Sequence, residues 1–462
     1  MTPMSDPLRT FIQSHEEWLV RRLMDWLSIP SISGDPAHAG ALERSADWLA
    51  EQLRALGVPT VELWADGDRP PAVYAHWPAE APGAVKVVVY GHHDVVDGGD
   101  PGRWRTGPFE PCVDGGRVYG RGAVDDKGQV AFHLLALKAH LEATGRRAPA
   151  VDLRLLIEGE EEIGSPGLAE LLRAHRDRLA CDLVVVSDNG IWSEQTPTVC
   201  TGMRGVLRAR LSVRTAAGEL HSGTYGGAIR NAATELARIV AALHDADGRV
   251  AIPGFYDRVV ALSDRERELL ARLPFEEPAW LAAAGADATY GEAGFSTLER
   301  TWARPTAEVT AFGAGEPAGG PRAVIPATAV AQLSFRLVAD QRPGEVADAL
   351  RAWLERVVPP GVAWELDVEE PSIWPCAVPD GHWALDALIA AMRASFDRDV
   401  LYTRDGGSGP GATLLRELDA PVLFMGTGQS ADGAHAPDES FAVTRLLKGA
   451  EAAARLWAEL AR

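Results

Sequence analysis

The chain has 462 residues, a length that predicts two or three domains and allows a sizeable core without covalent staples. Hydrophobic residues are 46% and charged residues 24%, ordinary globular values that exclude a disordered chain. The 65 acidic against 45 basic residues leave a net charge of −20, which argues against nucleic acid and against an anionic membrane surface as partners.

Leu8, Phe11, Ile12, Trp18, Leu19, Leu23, Trp26 and Leu27 recur at helical spacing, so residues 8–27 are predicted to form one amphipathic helix that stops near Pro30. This start carries early acidic residues and no continuous apolar core, so no signal peptide is expected. No apolar run approaches the roughly 20 residues a membrane span needs. A second helix is expected over 41–56, ended by Gly57. Val85 to Tyr90, rich in β-branched residues, reads as a buried strand. Helix 128–143, strand 151–157, helix 167–179 and strand 182–187 follow. This alternation predicts an α/β domain with a mostly parallel sheet.

After about residue 203 the pattern changes. Val206 to Val213 alternates as a half-exposed strand, 229–244 reads as a helix, and 257–300 as largely helical. Ala329 to Leu337 alternates again, and a helix is expected over 344–357. The Gly- and Pro-rich stretch 313–326 reads as a loop. These features suggest a smaller α+β unit with an antiparallel sheet. Helix 383–396, a strand near 421–425 and helix 441–460 then resume the α/β pattern. The expected organisation is a first domain split into 1–203 and 380–462, with 204–379 inserted. Cys112, Cys181, Cys200 and Cys376 form no CxxC pair and suggest no disulfide framework, so a reducing cytoplasm is expected.

The chemistry-bearing residues cluster where strands end. His92 and Asp94 directly follow the first buried strand and, two apart in extended chain, face one side. One suits a metal and the carboxylate of the other suits orienting the imidazole from behind, although a polar strand cap would look the same. Asp125 and Asp126 precede a helix, where acidic residues also serve the helix dipole. Glu158, Glu160, Glu161 and Glu162 crowd the end of strand 151–157; a solvated acidic face is the plain alternative. Asp188 ends the next strand beside an Asn-Gly turn signal, and His435 follows the strand near 421–425. A parallel sheet brings such ends to one edge. Two histidines and three carboxylates suit a pair of divalent ions sharing one carboxylate, and Glu161 and Glu162 suit divided roles in proton transfer and ligation. No HExxH or phosphate-binding GxxxxGK[ST] pattern occurs, and Ser408 lacks a GxSxG context.

The segments GHHDVV, YGRGAVDDKG, EGEEEIGS, VVSDN, LHSGTYGG, FRLVAD, RDGGSGP and DGAHAPDE, in this order and spacing, resemble the M20 family of metallopeptidases nearly end to end. The dipeptidase branch is the nearest in pattern, since the DDKG form is typical of it. The resemblance implies a catalytic domain carrying a ferredoxin-like lid and dimerisation domain. It implies that His92, Asp125 and Asp188 hold one metal ion and that Asp125, Glu162 and His435 hold the other. It implies that Asp94 orients His92, that Glu161 is the general base, and that the Asp125-Asp126 peptide is cis. The cofactors implied are two divalent ions, Zn²⁺ first, with Mn²⁺ or Co²⁺ as alternatives. His221, reaching from the second subunit of a homodimer, together with Arg336, Arg404 and Ser408, is implied to bind a small peptide substrate; His382 is a weaker pocket candidate. The expected activity is hydrolysis of dipeptides or similar amides with a free carboxylate. An N-acyl- or carbamoyl-amino-acid amidohydrolase of the same family is the alternative. Asp97 stands where the family pattern often has proline, and Ala323 where it often has threonine; both bear on substrate preference.

Overall fold

The computed structural model describes residues 6–65, 67–315 and 322–462. The chain forms two compact units. One comprises residues up to Thr201 with Val378–Thr403 and Pro410–Arg462; the other comprises Gly202–Ala377 and Arg404–Gly409.

The first unit is built on a sheet ordered Thr60–Trp64, Ala72–Trp77, Asp152–Glu158, Lys86–His92, Leu183–Val186, Val422–Phe424 and Thr198–Met203, with Leu401–Asp405 beside the last. The four central strands, Asp152–Glu158 through Val422–Phe424, are parallel; the flanking pairs are antiparallel. Val87, Val88, Leu183 and Val184 are fully buried, which explains their continuous apolar runs. Each such side chain contributes roughly 1.5–3 kcal/mol over an exposed one. The helix Lys127–Glu142 is buried on nearly every face and packs on Val443–Leu460. Trp26 and Trp457 are among the largest fully buried side chains.

Residues 8–27 are two helices, Pro7–Ser14 and Glu16–Leu27, where the periodicity predicts one. The break has a local cause. Ser14 Oγ donates to Phe11 O at 2.7 Å and His15 Nδ1 lies 2.8 Å from the same oxygen, so side chains compete for the carbonyl that should close the turn. Likewise 167–179 splits at His175 into Leu168–Ala174 and Arg176–Leu179. There the imidazole stacks on Trp64, ring centres 3.7 Å apart.

The second unit carries an antiparallel sheet ordered Thr306–Ala314, Thr328–Leu337, Gly205–Arg214 and Ala363–Val368. The helices Ala232–Ala241 and Pro343–Val357 pack on it around a core including Leu211, Phe335, Leu236 and Leu350. The stretch 257–300 is less helical than expected. It holds three short helices, Asp264–Ala271, Glu277–Ala284 and Thr297–Trp302. Ser263 with Glu266 and Ser296 with Glu299 form capping boxes that fix two of their starts. Of the expected loop 313–326, residues 313 and 314 end an edge strand, 324 and 325 form a short one, and 316–321 lie outside the described residues.

Candidate metal centre

The parallel strands end on one edge of the first unit's sheet, and each end delivers a polar side chain. His92 is the last residue of Lys86–His92 and Asp188 lies two beyond Leu183–Val186. Glu161 and Glu162 open a 3₁₀ turn, Glu161–Ile163, just past Asp152–Glu158. Asp125 stands just before the helix Lys127–Glu142, and the Asp125-Asp126 peptide is cis. Gly128 permits this entry, since a Cβ there would lie 1.9 Å from Ala123 O.

His92 Nε2 lies 3.1 Å from Asp125 Oδ1 and 3.8 Å from Asp188 Oδ2. His435 Nε2 lies 3.0 Å from Asp125 Oδ2 and 2.9 Å from Glu162 Oε2. The two oxygens of one carboxylate therefore face two different histidines. In each group of three, one donor atom per residue lies within 4.8 Å of the others. Nitrogen and oxygen ligands bound at about 2.0–2.2 Å around a tetrahedral ion stand roughly 3.3–3.6 Å apart, a range these separations bracket. Glu162 Oε1 is buried without a hydrogen-bond partner among the described residues. Donor set, spacing and this orphaned oxygen all fit a pair of divalent cations.

Asp94 is fully buried and serves more than one neighbour. Its Oδ1 lies 3.3 Å from His92 Nδ1. Its two oxygens also accept the backbone N–H groups of Glu161 and Glu162, at 3.2 and 3.1 Å. It therefore fixes both the imidazole and the turn that carries the two glutamates. Behind that turn, Glu158 accepts from the Tyr90 hydroxyl and from Ser165 Oγ. Asp126 Oδ2 accepts the His92 backbone N–H at 3.1 Å. The Glu161 carboxylate has no hydrogen-bond or ion-pair partner among the described residues. Sequence reasoning missed the double use of Asp94 and the buried Glu439, although Glu439 lies only four residues after His435 in a singled-out segment.

Without cations this cluster holds protons. Hydrogen bonds to Asp125 and Glu162 push the His435 imidazole up to about 10. Burial, then the charge of Asp125, pushes the Asp188 carboxyl up to about 7. His92 is also raised, because Asp125 and Asp94 outweigh the burial that opposes its charge. Metal ligands must be deprotonated. These three raised groups favour their protonated forms near neutrality in the metal-free protein, so metal and proton compete and apparent metal affinity rises with pH. Adding Zn²⁺ to chelated protein at pH 7 in weak buffer with an indicator is expected to release at least about one proton per chain. Full metal uptake with no release contradicts this arrangement.

The four substrate-binding candidates His221, Arg336, Arg404 and Ser408 lie in the second unit. His221 is exposed and caps the turn Ser222–Tyr225, its Nδ1 accepting Gly223 N–H at 3.1 Å. Arg336, on the strand Thr328–Leu337, is half-buried and its guanidinium makes no hydrogen bond among the described residues. Its charge lies near Arg204, whose guanidinium burial and then Arg336 bring down to about 10. Ser408 is half-buried. Arg404 does not offer a free guanidinium: Nη2 is bound to Glu266 Oε1 at 2.6 Å, and both side chains are nearly buried. His382, in the first unit, caps the helix Trp383–Phe396.

Residues 88–459 match peptidase family M20/M25/M40. The Cys-Gly metallodipeptidase of Candida albicans is 29% identical over 474 residues, covering 96% of this chain and 94% of the relative. The human Beta-Ala-His dipeptidase is 27% identical over 472 residues, covering 98% and 92%. Among solved structures, an M20 family metallo-carboxypeptidase from Sulfolobus solfataricus superposes with a TM-score of 0.77 at 27% identity, covering 96% of this chain and 99% of that one.

Proposed function

The chain belongs to peptidase family M20/M25/M40, and from that premise we propose that it hydrolyses dipeptides, or similar small amides with a free C-terminal carboxylate, using two divalent metal ions. The observation that carries this reading is the Asp125 carboxylate, divided between His92 and His435, alongside a Glu161 carboxylate that has no partner among the described residues. His92, Asp125 and Asp188 would hold one ion, and Asp125, Glu162 and His435 the other. Zn²⁺ suits this donor set best, and Mn²⁺ or Co²⁺ also accept it. When bound, such ions polarise a carbonyl and make water acidic enough to serve as a nucleophile near neutral pH.

The protein's own groups do the rest. Glu161 accepts the proton that the attacking water loses and returns it to the leaving amine. Water adds across the amide, giving one carboxylate and one free amine. Asp94 holds His92 and the Glu161–Glu162 turn in register throughout. Arg336 takes the substrate carboxylate, and the lack of a hydrogen-bond partner for its guanidinium among the described residues supports that role. His221 donates a hydrogen bond to the developing oxyanion and does so from the second subunit of a homodimer; both points rest on the resemblance. Ser408 contributes to the substrate loop. Arg404, already paired with Glu266, acts by holding that loop. A cytoplasmic location is part of the reading, in keeping with four free cysteines. No helix among the described residues is long and apolar enough to cross a membrane.

The test is a panel of unblocked dipeptides, Cys-Gly and β-Ala-His among them, set beside N-acetyl and N-carbamoyl amino acids. Each is offered to chelated protein and to protein refilled with Zn²⁺ or Mn²⁺. Metal-restored cleavage of unblocked dipeptides is expected. Cleavage of only the acylated or carbamoylated set would transfer the chain to the amidohydrolase branch. Inertness toward every substrate with metal demonstrably bound would overturn the substrate class.

A further inference from the structure

Glu439 is fully buried and has no part in the chemistry above. Its Oε2 accepts from Arg121 Nη1 at 2.8 Å and from Gly122 N–H at 2.9 Å. Its Oε1 accepts from Val124 N–H at 2.8 Å and from Asp125 N–H at 3.1 Å. The backbone joins in, since Gly120 N–H donates to Glu439 O at 3.0 Å. Both carboxylate oxygens are thus spent on one short stretch that ends at the shared aspartate.

Glu439 also closes the turn that carries His435. The other end of that turn is anchored by Asp432, which is buried and accepts from Arg445 and Arg117. Between the two anchors His435 sits at φ +60°, a conformation that a non-glycine residue keeps only when its surroundings impose it. Burying a carboxylate is costly unless its oxygens are hydrogen-bonded. An apolar side chain would fill the same space without that cost. What it would not do is accept three nearby backbone N–H groups and so set the path of the chain into Asp125.

We propose that Glu439 is a positioning residue: by accepting four N–H groups from the Arg121–Asp125 stretch, it ties the shared carboxylate of Asp125 to the His435 turn and sets the spacing between the two ligand groups. This rests on the reading of those groups as metal sites. If Glu439 acts through the shared carboxylate, its loss weakens both positions together. A side chain that merely supported the His435 turn would affect only one.

The experiment is Co²⁺ titration of chelated protein, followed by visible absorption, for the wild-type chain, Glu439→Gln and Glu439→Asp. Glutamine keeps the shape but turns an amide donor toward N–H groups; aspartate keeps the acceptors but falls one methylene short. Wild-type protein is expected to take up two Co²⁺ per chain. Variants with unchanged far-ultraviolet circular dichroism are expected to bind both about 10–100-fold more weakly, with altered ligand-field bands. Weakening of one ion alone overturns the proposal, as do affinities and spectra equal to wild type. If neither variant folds, Glu439 serves the fold as a whole and the proposal is equally overturned. A wild-type chain that binds no Co²⁺ instead overturns the metal reading, and this inference with it.

Discussion

Glu161→Gln is expected to leave the protein folded and metal-loaded while lowering kcat by about 10²–10⁴-fold. Nothing structural depends on this carboxylate, which has no hydrogen-bond partner among the described residues. The contact that positions the residue runs from its backbone N–H to Asp94, and glutamine keeps it. Burial, with the charges of Asp188 and Glu162 adding to it against His92, pushes the Glu161 carboxyl up to about 8 in the metal-free protein. In the reaction this group must first take a proton and then give it back. The amide of glutamine can do neither. The expected loss corresponds to about 3–5 kcal/mol of transition-state stabilisation. Metal content, melting temperature and kcat at saturating dipeptide together decide the matter. Full turnover in a variant with normal metal content would remove Glu161 from the proton path.

The candidate residues His92, Asp94 and Asp188 were legible because they come after runs that the sheet buries. Val85 to Tyr90 and 182–187 read as strands, and what matters comes directly after them: His92, Asp94 and Asp188. The physical cause is the parallel sheet, which gathers the carboxyl ends of its strands, where ligands bind in such folds, on one edge. Contacts between distant segments were less legible. Glu439 and Arg121 are 318 residues apart in the chain, and no local period encodes their meeting. Arg404 is another distant contact of this kind. Its segment resembled a substrate loop, but Glu266, fixed by the capping box of a short helix, lies where it can take the guanidinium. Helix breaks at His15 and His175 were hidden for a third reason: the apolar stripe continues across them, and at His15 the break comes from side chains competing for the Phe11 carbonyl. The strands Thr60–Trp64 and Ala72–Trp77 also escaped, being short runs separated by a loop with Gly67, Pro70 and Pro71.

Asp125→Asn is expected to cost the protein both ions rather than one. In the carboxylate, Oδ1 faces His92 and Oδ2 faces His435. An amide has one acceptor oxygen, so either orientation turns an NH₂ donor toward one histidine and leaves a single weak oxygen for the other. The negative charge that both cation positions share is lost in either case. Folding should survive, because the Asp125 backbone N–H still reaches Glu439 and the substitution removes no packing volume. Metal analysis after dialysis is expected to find well under one ion per chain, and turnover of a good dipeptide to fall more than about 10³-fold, beyond the loss of a single hydrogen-bond donor. His435→Ala is the informative contrast, since it removes a ligand from one group only and should leave the His92, Asp125 and Asp188 position able to bind. If Asp125→Asn instead retained one tightly held ion, the carboxylate would belong to one position alone, and the two groups of ligands would not form one shared centre.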